Sequence, residues 1–192
     1  WLQPQWPAPA GVHALCTTRA GGVSSGPYAS LNLGSHVGDA PSAVLANRQR
    51  LQAVVQGTTP GARAVFLNQV HGTAVADIHH ATPDGTEADA CVATQSGAVC
   101  TIMVADCLPV LLAHATAPLV GAAHAGWRGL AGTRGVGVLE SVFERFNALT
   151  VANTAPEATK NEASDGFAVS MMAWLGPCIG PTAFEVGAEV RE

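Results

Sequence analysis

Basic residues are scarce in this chain. Nine Lys and Arg are scattered through 192 residues, against fourteen Asp and Glu, for a net charge of −5. Nucleic-acid binding draws its affinity from clustered cations that displace counterions from phosphates, so that class of partner is set aside in favour of a small molecule. Charged residues of both signs reach only 12%, while 48% of side chains are apolar, enough for one well-buried domain. No apolar run reaches the roughly 18 to 20 residues of a membrane span, and residues 1–20 lack a charged stretch leading into an apolar one. The expectation is a soluble, cytoplasmic protein without a membrane partner. No CxxC pair occurs among the five cysteines (Cys16, Cys91, Cys100, Cys107, Cys178). An odd set without that spacing reads as reduced thiols, one of them a candidate ligand or nucleophile. No repeat of 20 to 50 residues is present, and the glycine-rich pieces match neither phosphate-binding loop pattern.

What is present centres on residues 98–130. AVCTIMVA is a continuous, β-branched apolar run that stops at Asp106-Cys107, with Pro109 behind it, and so predicts a buried strand ending at Cys107. PLVGAAHA predicts a second strand, which ends in His124-Ala125-Gly126-Trp127-Arg128-Gly129. A hairpin or short crossover between them, turning near His114 to Ala117, would bring Cys107 and His124 together. Asp106, beside the cysteine, is the acid/base candidate; its alternative role is to cap backbone N–H groups at the turn.

Around this centre, residues 1–11 read as an extended lead-in and VHALCTT as a strand. The Gly/Ser-rich stretch that follows is too long for a plain connection, and Arg19, Asn32 and His36 within it can offer hydrogen bonds. Residues 41–56 predict a helix with Pro at its first turn, Val44, Leu45, Leu51 and Val55 on one side and Gly57 as its stop. Arg48 falls near the apolar side, as either an ion-pair partner or an anion ligand. AVFLNQV predicts a strand that delivers Gln69 and His71, a third polar strand end. His71, Cys107 and His124 are together candidates for a metal or catalytic cluster. Residues 132–148 predict a helix with Val136, Leu139, Val142, Phe143 and Phe146 inward and an N-terminus that favours an anion. Residues 150–166 predict a polar surface loop, AVSMMAWL a strand, and GAEVRE the start of a helix.

Five spaced blocks, SLNLGSHVGD with Asn47-Arg48, NQVHG, ADCLPVLL, AAHAGWRGL and WLGPCIGPTAFEVG, resemble the bacterial YfiH-like family, once labelled multicopper polyphenol oxidases or laccases. The resemblance covers nearly the whole chain. It implies an α/β fold with four layers, α/β/β/α, with mixed sheets, shared with cysteine–histidine deamidases of the cytotoxic necrotizing factor type. It implies zinc held by His71, Cys107 and His124. It also implies purine nucleoside phosphorylase activity on adenosine, inosine, guanosine and methylthioadenosine, adenosine deaminase activity, and for some members a link to peptidoglycan editing. Family members usually continue for several dozen residues beyond VRE, so residues 1–192 are expected to be a single domain without that C-terminal segment. The stretch 150–166 is longer than the usual connection.

Two imidazoles and a thiolate leave a fourth zinc position for water or substrate, as catalytic sites do. In that setting Asp106 would relay a proton, and Arg48 and Arg128 would face phosphate; Asn32 and Gln69 complete the expected substrate contacts. The rival readings are a cysteine hydrolase or amidase with Cys107 as nucleophile and His124 as base, a copper-dependent polyphenol oxidase, and a non-enzymatic zinc-binding protein.

Overall fold

The computed structural model describes residues 1–153 and 171–187. Helix α1 (Pro41–Thr58) opens with Pro41 at its first position, where the missing N–H has no intrahelical partner to lose. It buries Val44, Leu51 and Val55 along one side, while Leu45, expected among them, is exposed. The strands that follow are β1 (Arg63–Phe66), β2 (Val75–Asp77), β3 (Ala90–Ala93), β4 (Ala98–Thr101), β5 (Leu108–His114) and β6 (Val120–Ala125). Helices α2 (Trp127–Ala131) and α3 (Val138–Asn153) and strand β7 (Met171–Leu175) complete the order.

β1 and β4 form a parallel pair; the other strands make a mixed sheet ordered β2-β3-β6-β5-β7, in which only β2 and β3 run parallel. The smaller sheet lies between α1 and the larger sheet, and β3 and β6 lie between the smaller sheet and α3, which accounts for their unbroken apolar runs, while the edge strand β7 is partly exposed. Side chains alternate across each strand. Ala64 and Phe66 of β1 pack on Leu51 and Val55 of α1, while Val65 and Leu67 pack on Cys91, Ala93 and Ala122 of the larger sheet. Ala90 and Val92 of β3, with Ala123 and Ala125 of β6, face Val138, Val142 and Phe146 of α3. Three cores thus separate four layers, helix, sheet, sheet and helix. Phe146, only 1% exposed, anchors the outer one, and its truncation to Ala would cost about 3–5 kcal/mol.

Several boundaries differ from the sequence reading. VHALCTT forms only an isolated bridge, Leu2 to Cys16. β4 ends at Thr101 rather than at Cys107, because the Gln69 side chain takes both backbone groups of Met103: Met103 N–H donates to Gln69 Oε1 and Gln69 Nε2 donates to Met103 O, each at 2.8 Å. Cys107 therefore stands just ahead of β5. Helix α3 begins at Val138, since Gly132, Arg134 and Gly135 all have positive φ, which a right-handed helix does not admit. It continues to Asn153, into the stretch 150–166 expected to be a loop; the remainder of that stretch and most of GAEVRE lie outside the described residues. Val136 and Phe143, expected inward, are 44% and 38% exposed.

The long stretch between Arg19 and Asp39 is pinned by one buried residue. Asn47, on α1, accepts from Val23 N–H and donates through Nδ2 to Ser24 Oγ, Ser30 O and Asn32 O. No helix among the described residues is long and apolar enough to cross a membrane.

Candidate metal centre

The antiparallel β5–β6 hairpin pairs Leu108 with Ala125 and Pro109 with His124. Cys107 and His124 are thereby brought to the same end of the sheet, as the sequence reading required. His124 is 4% exposed, the last residue but one of β6. His71 arrives from a different direction, on the tight loop after β1, and has φ 62°. A histidine in that left-handed region costs about 1–3 kcal/mol unless its surroundings hold it there.

Asp89 holds it. This carboxylate, at the entrance to β3, is fully buried. Its Oδ1 accepts from His71 N–H at 2.8 Å and lies 2.8 Å from His124 Nδ1; its Oδ2 accepts from Val70 N–H at 3.1 Å and Gly72 N–H at 2.7 Å. Burial pushes its pKa up, but the His124 ring and the N–H groups of Gly72, Val70 and His71 together outweigh burial and hold it below the ordinary carboxylate range. With Nδ1–H given to Asp89, His124 keeps the Nε2 lone pair for a cation, the carboxylate–histidine arrangement common behind metal ligands.

The ligand atoms of His71, Cys107 and His124 lie within 4.8 Å of one another. Cys107 Sγ is 3.8 Å from His71 Nε2, and the two imidazoles meet edge to face with centroids 4.6 Å apart. A tetrahedral ion about 2.3 Å from sulfur and about 2.0 Å from nitrogen would separate those two atoms by roughly 3.5 Å, so small side-chain movements suffice. Gly126 makes the space: a Cβ there would stand 2.8 Å from His71 Cδ2 and 3.0 Å from Cys107 Sγ. Burial, then the neighbouring Asp106 carboxylate, and more distantly Asp89, push the Cys107 thiol pKa up. A free thiol here is protonated at neutral pH, and a cation supplies what would deprotonate it. The donor set, the cleared space and the oriented His124 therefore suit a metal ion. Among the described residues this is the one such cluster, and it contains no fourth protein ligand.

The other expected site residues divide. Asp106 is exposed beside Cys107, and its backbone carbonyl accepts from Ile179 N–H at 2.9 Å. Arg128 is exposed on α2, two residues beyond Gly126, with its guanidinium 4.4 Å from the Trp127 ring centroid. Gln69 is engaged at both ends by Met103 and so positions the His71 loop. Asn32 closes a local turn, accepting from Gly34 N–H at 3.0 Å and donating to Asp39. Arg48 donates to Leu33 O at 2.9 Å, lies 3.9 Å over the Phe66 ring and faces Asp84 at 3.8 Å. It borders a cavity of about 300 Å³ with Ser35, His36, Asn68, Asp84 and Met103. At the start of α3, where an anion is expected, Glu140 Oε2 accepts from Gly137 N–H at 2.9 Å, so a carboxylate of the chain stands at that helix end.

Asp89 is the residue that sequence reasoning passed over in favour of Asp106. Its signal was an acid inside the apolar run ADACVAT, since a carboxylate that enters a buried strand needs partners.

A family model described as multi-copper polyphenol oxidoreductase laccase matches residues 13–192. The chain is 47% identical over 191 residues to a Shigella flexneri protein named purine nucleoside phosphorylase YfiH, an alignment covering all of this chain and 68% of that one. The crystal structure of Neisseria meningitidis protein NMB0706, of the family model DUF152, superposes with a TM-score of 0.80 at 44% identity, covering 99% of this chain and 67% of the other. YlmD from Geobacillus stearothermophilus superposes with a TM-score of 0.73 at 31% identity, over 91% and 60% respectively. The chain thus spans about two thirds of the length of these proteins.

Proposed function

Because the chain belongs to the YfiH-like family, we propose that it is a zinc-dependent purine nucleoside phosphorylase, acting on adenosine, inosine, guanosine and methylthioadenosine, that also deaminates adenosine. The observation that carries this reading is the three-ligand cluster of His71, Cys107 and His124, open on one side and backed by Asp89. Zinc held there would supply Lewis-acid chemistry at that open position.

In phosphorolysis the bond between C1′ and the base breaks, the base leaves with the electron pair, and a phosphate oxygen bonds to C1′. Arg128 is the cation that orients phosphate, exposed two residues beyond Gly126, whereas Arg48 is held by Leu33 and Phe66 and shapes the cavity wall. In deamination water adds at C6 and ammonia leaves; Asp106, exposed beside the cluster, moves the proton. Both routes use the same rigid backing, in which Asp89 and Gln69 keep the histidines in place.

Two alternatives weigh less. A Cys107–His124 hydrolase of the deamidase type, including amidase action in peptidoglycan-precursor editing, needs a ready thiolate, and here the thiol is pushed up rather than down. A multicopper oxidase needs many histidine ligands in several clusters, and this chain has seven histidines in all.

Adenosine incubated with and without phosphate separates the branches. Adenine and ribose 1-phosphate formed only with phosphate support phosphorolysis, and inosine formed in either case supports deamination. Neither product, in protein carrying one zinc per chain, overturns the reading.

A further inference from the structure

Strand β7 runs antiparallel to β5 with Val110 opposite Leu175. Beyond that pair the regular ladder stops, because Pro109 and Pro177 have no N–H to contribute. The two chains nevertheless stay together. Gly176 N–H donates to Pro109 O and Ile179 N–H donates to Asp106 O, both at 2.9 Å. These two bonds bracket Leu108 and Cys107 on one chain and Pro177 and Cys178 on the other, equal lengths that bring Cys107 and Cys178 near one another. A disulfide spans Cα separations of roughly 4.4–6.8 Å, and two chains held together by backbone hydrogen bonds on either side of the cysteines approach to that order. Both cysteines are free thiols; Cys178 is exposed and Cys107 half-buried.

We propose that Cys107 and Cys178 form an oxidisable pair, and that closing the disulfide removes Cys107 from the metal-ligand set. The oxidant is a small-molecule disulfide. The exposed Cys178, as thiolate, attacks one of its sulfurs; a mixed disulfide forms and the other half leaves as a thiolate that takes up a proton. Cys107 then loses its proton and attacks the Cys178 sulfur, expelling the second half as a thiol. Two protein thiols have lost two electrons and two protons, and the small disulfide has become two thiols. A sulfur committed to a disulfide has no anionic charge to offer a cation, so a metal on His71, Cys107 and His124 is released. The cross-link rests on the two bracketing hydrogen bonds, whereas the release rests on the metal reading above. The same placement makes Cys178, which no part of the proposed chemistry uses, a sensor near the centre.

The test incubates metal-replete and chelator-stripped protein with oxidised glutathione, blocks remaining thiols with iodoacetamide and maps non-reduced peptides by mass. The expected product is a Cys107–Cys178 peptide pair, formed faster in stripped protein. In replete protein it should appear with one zinc released per bridge, read with a chromophoric chelator, and both should reverse with a reducing thiol. Cys178→Ser should bind zinc normally, form no bridge and lose several-fold less zinc under the oxidant. Glutathione found on Cys178 with Cys107 alkylated and unbridged overturns the proposal, as does a bridge from Cys107 to any other cysteine. A Cys107–Cys178 bridge in protein that never held zinc keeps the pair and refutes the metal reading instead.

Discussion

One oxygen atom of Asp89 lies 2.8 Å from the His124 ring nitrogen and 2.8 Å from the backbone N–H of His71, so a single buried carboxylate sets both imidazoles of the cluster. Asp89→Asn keeps the shape but replaces an acceptor with a donor, leaving two of the four partners of Asp89 (Val70, His71 and Gly72 N–H and the His124 ring) unmatched. Stability should fall by about 2–4 kcal/mol in chemical denaturation. Zinc affinity, measured by competition with a chromophoric chelator, should fall about 10- to 100-fold. Unchanged affinity would mean that His124 is oriented by something else.

The Asp89 pKa lies below the ordinary carboxylate range in the folded protein. Its contribution to stability is therefore complete above the unfolded value of about 3.9 and is lost as pH falls through the lower folded value. Denaturation free energies measured through the acid range should show this loss in the native protein and a flatter dependence in Asp89→Asn. Equal slopes in the two proteins would contradict the assignment.

The three ligands should respond alike in metal content and differently in stability. His71→Ala, Cys107→Ala and His124→Ala should each abolish stoichiometric zinc, measured by elemental analysis. His124→Ala also leaves a buried carboxylate without its ring partner and should cost about 3–5 kcal/mol. His71→Gly, by contrast, relieves a positive φ at an exposed position and should fold at least as stably as the native protein while binding no zinc. Retention of zinc in all of these variants would show that the site lies elsewhere.

Gly126→Ala introduces a Cβ into the space between His71 and Cys107. Zinc content should drop severely. Gly57→Ala, where a Cβ meets nothing within 4 Å in the last turn of α1, should retain zinc and gain about 0.5–1 kcal/mol. Full zinc occupancy in Gly126→Ala would show that the ligands do not close around that space.

Burial and Asp106 push the Cys107 thiol up, so in metal-free protein iodoacetamide should label it slowly at neutral pH and faster as pH rises. Asp106→Asn removes a charge and should speed the labelling. Zinc should protect Cys107 at every pH, with protons released on metal uptake. Rapid labelling in zinc-replete protein, with activity lost in step, would favour the cysteine hydrolase.

Much of this molecule was determined locally. Pro41 and the spacing of Val44, Leu51 and Val55 specify α1, and two apolar runs around a short turn specify the β5–β6 hairpin that joins Cys107 to His124. Those patterns act between near neighbours, where sterics and periodic burial leave few choices. Tertiary structure alone decided the rest. Asp89 reaches His124 because β3 pairs with β6. Gln69 ends β4 early because it reaches Met103 across the fold, and Ile179 N–H reaches Asp106 O beside Cys107 because β7 adds to the far side of β5. Each of these depends on which strands become neighbours, and strand order is settled by burying β3 and β6 between the smaller sheet and α3 at once, a condition that no single segment carries.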